Sequence, residues 1–368
     1  MQHVLLVPGF FGFTNLGDLR YFGHVRDALL RGFAARGLEA SVAVVRTLPT
    51  ASLPRRAARV AATLATLPDD GAPVHLVGHS SGGLDLRLLT SPGVALPTEV
   101  AVEALLARVR SVVTVTTPHH GTPLAAVFTG LLGQRLLQLL SLVTIYVLRF
   151  GHLPLTAVFK VGQVFAHLDG RLGLEGALLD ELYAQLLADF SPERRDAVAA
   201  FLADVESDRG LLPQLTPEGM ALLNATAAPR PGLRAGSVVA MAAPPGVRST
   251  LRVGLDPAAQ ATHVMYQALH RLTRMRPEEV PPCTDAQADV MRAAYGTVPD
   301  ADANDGVVPT RSQPWGTLLH AARGDHLDVL GHYGAEPPHV DWLATGTGFD
   351  RGAFEALWDD VMRFLLAE

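Results

Sequence analysis

An α/β architecture, a mostly parallel sheet covered by helices on both faces, is the fold class this sequence predicts. Three observations carry that prediction. Short apolar, β-branched runs alternate with segments whose apolar residues recur at helical spacing. One run, Val74-His75-Leu76-Val77, ends in Gly78-His79-Ser80-Ser81-Gly82-Gly83 and passes at once into the helix-like stretch 84–89, so it reads as strand, sharp turn and helix. The segment from Asp350 to Ala367 gathers Phe354, Leu357, Val361, Phe364 and Leu365 on one face, suited to docking on a sheet, with Asp350 as N-cap.

Taken in order, Val4 to Val7 is a strand closed by the loop Pro8-Gly9-Phe10-Phe11-Gly12-Phe13. Phe22 to Gly37 has helical periodicity and stops at its glycine, Ser41 to Val45 is a second strand, and Pro54 to Leu67 is a basic, Ala-rich helix opened by proline. The Val74 strand, its helix and a helix near Thr98 to Val109 precede a strand over Ser111 to Thr116. The alternation then gives way to a long Leu-rich helical region, so residues 1–120 and 235–368 are expected to form the core and 121–234 a helical lid or cap. Within it, Leu131 to Leu148 is apolar enough to suggest a membrane span, but Gln134, Arg135 and Gln138 leave less than the ~20 apolar residues a span needs. A mobile cap hinged at Gly130, Gly133 and Gly151 is the preferred reading, with a plain core helix as the alternative. Leu172 to Phe190 and Pro192 to Val205 read as amphipathic helices. Strand character returns at Gly236 to Ala242 and Thr317 to Ala322, with a helix over Asp256 to Met275 between them.

A hydrophobic share of 48% against 18% charged describes a chain with a large core rather than a disordered one. The net charge of -6, with no basic run, argues against a nucleic-acid partner. Cys283 is the single cysteine, so no internal disulfide forms. The start has no basic region or cleavage site of a signal peptide, which makes the cytoplasm the default compartment and a secreted mature form the alternative.

Ser80 stands at the tip of the turn, where a nucleophile is exposed at a helix N-terminus. A serine hydroxyl attacks only when a base takes its proton, and that base, a histidine, needs a carboxylate to orient it. With the chain order serine, acid, histidine, the acid is Asp305 in Asn304-Asp305-Gly306, with Asp300 and Asp302 as rivals. Of fourteen histidines, His320, His326, His332 and His339 lie beyond it; His326 is preferred because it sits on a polar loop past a strand. Backbone N–H groups of Ser81 and Phe10 are the candidate oxyanion donors. Phe11 and His79 are candidate substrate contacts by position, although strand alternation turns His79 and His75 aside into structural roles.

Four blocks together resemble the true bacterial triacylglycerol lipases: Pro8-Gly9-Phe10-Phe11-Gly12-Phe13 with Leu19-Arg20-Tyr21-Phe22-Gly23, Gly78 to Gly83, Thr117-Pro118-His119-His120-Gly121-Thr122-Pro123, and Asn304 to Val308 with Asp325-His326-Leu327-Asp328. They span most of the chain; the 124–234 stretch and the C-terminal helix carry no matching motif. The resemblance implies an α/β-hydrolase fold, a lid over an apolar acyl pocket, carboxylic ester hydrolysis with no required cofactor, and the triad Ser80, Asp305 and His326. It also implies a structural calcium at Asp328, for which Asp285 or Asp289 would be the partner. The chain departs from the family in having Pro8-Gly9 where His-Gly is usual. The expected partner is a small-molecule or lipid ester, with transient contact at a lipid interface. An acyltransferase or thioesterase with the same triad, and a catalytically silent lipid-binding member of the fold, are the alternatives.

Overall fold

The computed structural model describes residues 1–10, 21–166, 176–207, 210–334 and 340–367. Its centre is a six-stranded sheet in the order β2-β1-β3-β4-β5-β6, with β1 Gln2–Val7, β2 Ala40–Val44, β3 Val74–His79, β4 Val109–Val115, β5 Arg234–Met241 and β6 Thr317–Arg323. All neighbouring strands are parallel. Leu5, for example, lies between Ala43 of β2 and Leu76 of β3. Central strands covered on both faces must be apolar throughout, and Leu5, Leu6, Leu76, Val77, Val112, Val113 and Val238 are all buried.

The helices around the sheet are α1 Gly23–Ala35, α2 Leu53–Leu64, α3 Ser81–Thr90 and α4 Val102–Leu106. Between β4 and β5 come α5 Pro123–Val127, α6 Leu131–Phe150, α7 Leu155–Ala166, α8 Gly176–Ala188, α9 Pro192–Ser207, α10 Leu211–Gln214 and α11 Pro217–Thr226. After β5 follow α12 Val247–Val253, α13 Pro257–Leu272, α14 Asp285–Tyr295 and α15 Arg351–Leu366. As its apolar stripe predicts, α15 buries Phe354, Leu357 and Val361 and packs against β6 and α1; Asp350 caps it by accepting the Ala353 N–H at 2.9 Å.

One stretch differs from the sequence expectation, and another holds a helix that the sequence reading does not assign. The helix near Thr98 to Val109 shrinks to one turn, because Val109 is already claimed by β4, in register with Val74. The Pro- and Asp-rich stretch before Asn304 holds α14, whose Thr284–Gln287 capping box starts it. Its Met291 and Tyr295 pack with Val239 and Leu318 in a small second core. From Leu136 to Leu148 the apolar residues of α6 are buried, Leu139, Leu142 and Val143 completely, and the helix packs on α8 and α9. No described helix is long and apolar enough to cross a membrane.

Candidate active site

The turn between β3 and α3 forces Ser80 into φ +55°, ψ −132°, a conformation that costs a non-glycine residue about 1–3 kcal/mol. Surroundings hold it there. The Ser80 N–H donates to Val115 O at 2.9 Å, and its carbonyl accepts the Gly83 N–H at 3.0 Å. Close crossing explains the glycines: a Cβ at Gly82 would stand 2.2 Å from Val7 O, and one at Gly9 would stand 2.5 Å from Ser80 Cβ. Gly9 thus brings the loop after β1 directly against the serine.

His326 lies on the loop after β6 and Asp305 on a turn between α14 and β6, 21 residues earlier, yet His326 Nδ1 donates to Asp305 Oδ2 at 2.8 Å. Both side chains are fully buried. The backbone reinforces the pair, His326 N–H donating to Asp305 O at 3.0 Å. Asp305 Oδ1 accepts the N–H groups of Val307 and Val308 at 2.9 and 2.7 Å, and Oδ2 also accepts from Gln313 Nε2 at 3.2 Å. The rival residues stand elsewhere. Asp300 caps its own turn, Asp302 faces Arg274, His320 pairs with Asp360, and His332 meets His24 edge-on. His339 and Phe11 lie outside the described residues.

His79 does not line the cavity at Ser80. It is buried behind it, with Nε2 2.9 Å from the carbonyl oxygen of His326. That nitrogen must carry the proton, so Nδ1 accepts, and Tyr21 Oη donates to it at 2.6 Å. The Gly9 N–H in turn donates to Tyr21 Oη at 3.4 Å. A chain of hydrogen bonds therefore ties the loop after β1, the elbow and the histidine loop together. Burial, with His326 beside it, holds the His79 imidazole neutral, its pKa well below the usual range. His75 likewise bonds Ser111 and Gln2, with its pKa pushed down to about 4 by burial.

Two buried groups that sequence reasoning missed hold the frame. Arg56, inside the basic helix, bonds Asp85 through Nε and Nη2, the latter at 2.7 Å, and also donates to Pro8 O at 3.0 Å, fixing the start of the Gly9 loop. Burial raises the Asp85 carboxyl to about 6 against the pull of Arg56. Gln313 is the other: its amide also accepts the Ala240 N–H at 2.7 Å, so one side chain joins β5 to Asp305. Nothing in the sequence around Gln313 signals this. The Thr117-to-Pro123 block both braces and lines the site: His119 is buried and stacks on Trp315, Thr122 Oγ1 donates to Val307 O at 2.7 Å, and Pro118 and Thr122 border the cavity at Ser80.

A narrow cavity of about 50 Å³ opens at Ser80. Phe10, Phe128, Leu137, Leu140, Leu212 and Leu215 line it, with Thr122 as the other polar side chain. Leu137 and Leu140 come from α6.

Asp328 has neighbours other than those expected. Asp285 and Asp289 sit exposed on α14, whereas Asp325, Asp328 and Asp341 bring carboxylate oxygens within 4.8 Å of one another. Trp342 Nε1 and two backbone N–H groups donate to Asp325 Oδ1, while Asp325 Oδ2 is buried with no hydrogen-bond partner. Burial raises all three carboxyls, Asp325 to about 7, and the Asp325 charge pushes Asp328 and Asp341 up further.

A six-stranded parallel sheet carrying a serine elbow at the carboxyl end of its third strand defines an α/β-hydrolase fold. Solved structures agree. Lipase 1 from Pelosinus fermentans is similar over 98% of both chains, with a TM-score of 0.52 and 18% identity. A metagenomic carboxyl esterase gives 0.51 at 16% identity, over 99% of this chain and 75% of its own. EstA from Clostridium botulinum gives 0.50 at 20%, over 95% and 86%. At such identities these likenesses establish the fold. The chain matches no protein-family model and no curated protein.

Proposed function

We propose that this protein is a serine carboxylic ester hydrolase acting on esters with an apolar acyl chain. The observation that carries the reading is Ser80, strained at the elbow and facing an apolar cavity, on the same sheet edge as the buried His326–Asp305 pair. Ser80 Oγ attacks the ester carbonyl carbon while its proton passes to His326 Nε2. The carbonyl oxygen becomes an oxyanion held by the N–H groups of Phe10 and Ser81, each donor of this kind worth ~3 kcal/mol. The C–O bond breaks and the leaving alcohol takes the proton from His326. Water then attacks the acyl-enzyme, its proton going to His326, and the acid departs as Ser80 recovers its own. Asp305 holds the imidazole in the required tautomer and stabilises its positive form. Proton transfer requires Ser80 Oγ to come within hydrogen-bond reach of His326 Nε2 in the substrate complex.

The helices of 121–234 serve as the cap of the acyl pocket, since α6 and α10 supply Leu137, Leu140 and Leu212 to its wall. Calcium fits the Asp325, Asp328 and Asp341 cluster, because buried carboxylates with one unpartnered oxygen match a hard cation that takes oxygen ligands. Bound there it would neutralise repulsion beside His326 and brace the loop. It takes no part in the chemical steps.

The test is hydrolysis of p-nitrophenyl esters from short to long acyl chains by wild type and Ser80→Ala. Activity that rises with acyl length and drops at least a thousandfold in the variant is expected. Unchanged hydrolysis in Ser80→Ala would exclude this mechanism.

A further inference from the structure

Among the described residues, the most exposed apolar side chains lie not on the Leu-rich α6 but on the short segment around α12. Val247, Leu251 and Leu255 are 78%, 75% and 96% exposed, the three most exposed large apolar side chains among the described residues. Val247 and Leu251, four residues apart, share one face of the helix. Ser249 and Thr250 attach the other side: Ser249 is buried, and Thr250 Oγ1 bonds His263 Nε2 on α13 at 3.1 Å. At both ends of the helix there is open space on the glycine side, for a Cβ at Gly246 or Gly254 would meet nothing within 4 Å. From Ala242 to Asp256 the charges are Arg248 and Arg252, both exposed, and Asp256, which caps α13, so the segment is net positive in a chain whose net charge is -6.

Position gives this surface its meaning. α12 follows the carboxyl end of β5, the sheet edge that also carries Ser80 after β3 and His326 after β6. Two strand spacings, about 10 Å, separate β5 from β3. We propose that Val247, Leu251 and Leu255 insert into an anionic lipid surface while Arg248 and Arg252 meet its phosphates, which presents the active-site edge to ester substrate held in that surface. Apolar side chains seated at the acyl boundary with flanking arginines at the headgroups are the arrangement such surfaces favour. A second copy of the chain fits less well, because a two-fold contact through this face would set arginine against arginine. The proposal deepens the ester-hydrolase reading and rests on it for what the surface delivers.

The experiment is co-sedimentation of the full chain with vesicles of non-hydrolysable ether lipids, phosphatidylcholine alone or mixed with phosphatidylglycerol. Wild type should partition onto the phosphatidylglycerol vesicles. Val247→Ser/Leu251→Ser/Leu255→Ser should bind at least tenfold more weakly, and Arg248→Gln/Arg252→Gln should lose the preference for the anionic lipid. Both variants should hydrolyse soluble p-nitrophenyl acetate at the wild-type rate, which also reports that they fold. Unchanged partition in the triple variant, or no partition of wild type, would overturn the proposal. So would a wild-type dimer in sedimentation equilibrium that the triple variant converts to monomer. If vesicle binding depends on the three apolar residues while Ser80→Ala still hydrolyses the soluble ester, the docking surface stands and the serine mechanism falls.

Discussion

The loop that carries His326 has two unlike neighbours. On one side Asp305 receives hydrogen bonds at both carboxylate oxygens, Gln313 ties it to β5, and His79 holds the His326 carbonyl. On the other side, one residue away in sequence, Asp325 meets Asp328 and Asp341 with a buried oxygen left over. Both regions are polar and buried. The difference teaches that burial is tolerable where every acceptor finds a donor, and that like charges without a counter-ion demand protons or a cation. The first side can hold its geometry unaided, whereas the second must take up protons or a cation.

Breaking the satisfied side should have the largest effect. Asp305→Asn leaves the shape but spoils the imidazole's tautomer, so kcat should fall ~10⁴-fold with KM little changed. A loss confined to KM in steady-state kinetics would instead mean that Asp305 positions substrate. The unsatisfied side should respond to metal. Calcium at a hundred times its dissociation constant adds ~2.7 kcal/mol, a rise in Tm of roughly 3–4 °C for a chain of this length over an EDTA-treated sample by calorimetry. Asp341→Asn should abolish that response and, by removing one of three repelling charges, leave the metal-free protein no less stable. Equal melting curves with calcium and EDTA would contradict the metal assignment.

Smaller effects sharpen the contrast. Gln313→Leu strips a donor from Asp305 and the acceptor from the Ala240 N–H, which should cost ~1–3 kcal/mol in chemical denaturation and about tenfold in kcat. The smallest is a pH effect at His79, whose folded pKa lies well below that of a free imidazole. Its contribution to stability is intact above the unfolded value of 6.5 and is lost as pH falls through the folded value. His79→Gln keeps a donor for His326 O but cannot ionise. Its unfolding free energy should therefore fall less steeply between pH 6 and 4, by up to ~1.4 kcal/mol per unit. An identical slope in the two proteins would show that His79 titrates normally.

Local chemistry explains what could be read in advance. The elbow is legible because Gly78, Ser80 and Gly82 express a backbone requirement within five residues, and the strands because a buried parallel sheet needs continuous apolar runs. The association of His326 with Asp305 was reachable through chain order and loop polarity. Gln313, Arg56, Asp325 and Asp341 were not, because what makes them matter is partners 8 to 73 residues away, and an isolated polar residue carries no mark of burial. The apolar surfaces show the complementary limit. Hydropathy reports composition and not placement, so nothing in the sequence distinguishes Leu136 to Leu148 of α6, which the fold buries, from Val247 and Leu251 of the ordinary-looking α12, which it leaves exposed.

The most direct test of the account is intact-mass analysis of the protein treated with a fluorophosphonate, followed by peptide mapping. One phosphonyl group per chain, on the peptide containing Ser80 and formed far more slowly in Asp305→Asn, is the expected result. No adduct, or one carried on a different serine, would contradict the assignment of Ser80 as the nucleophile.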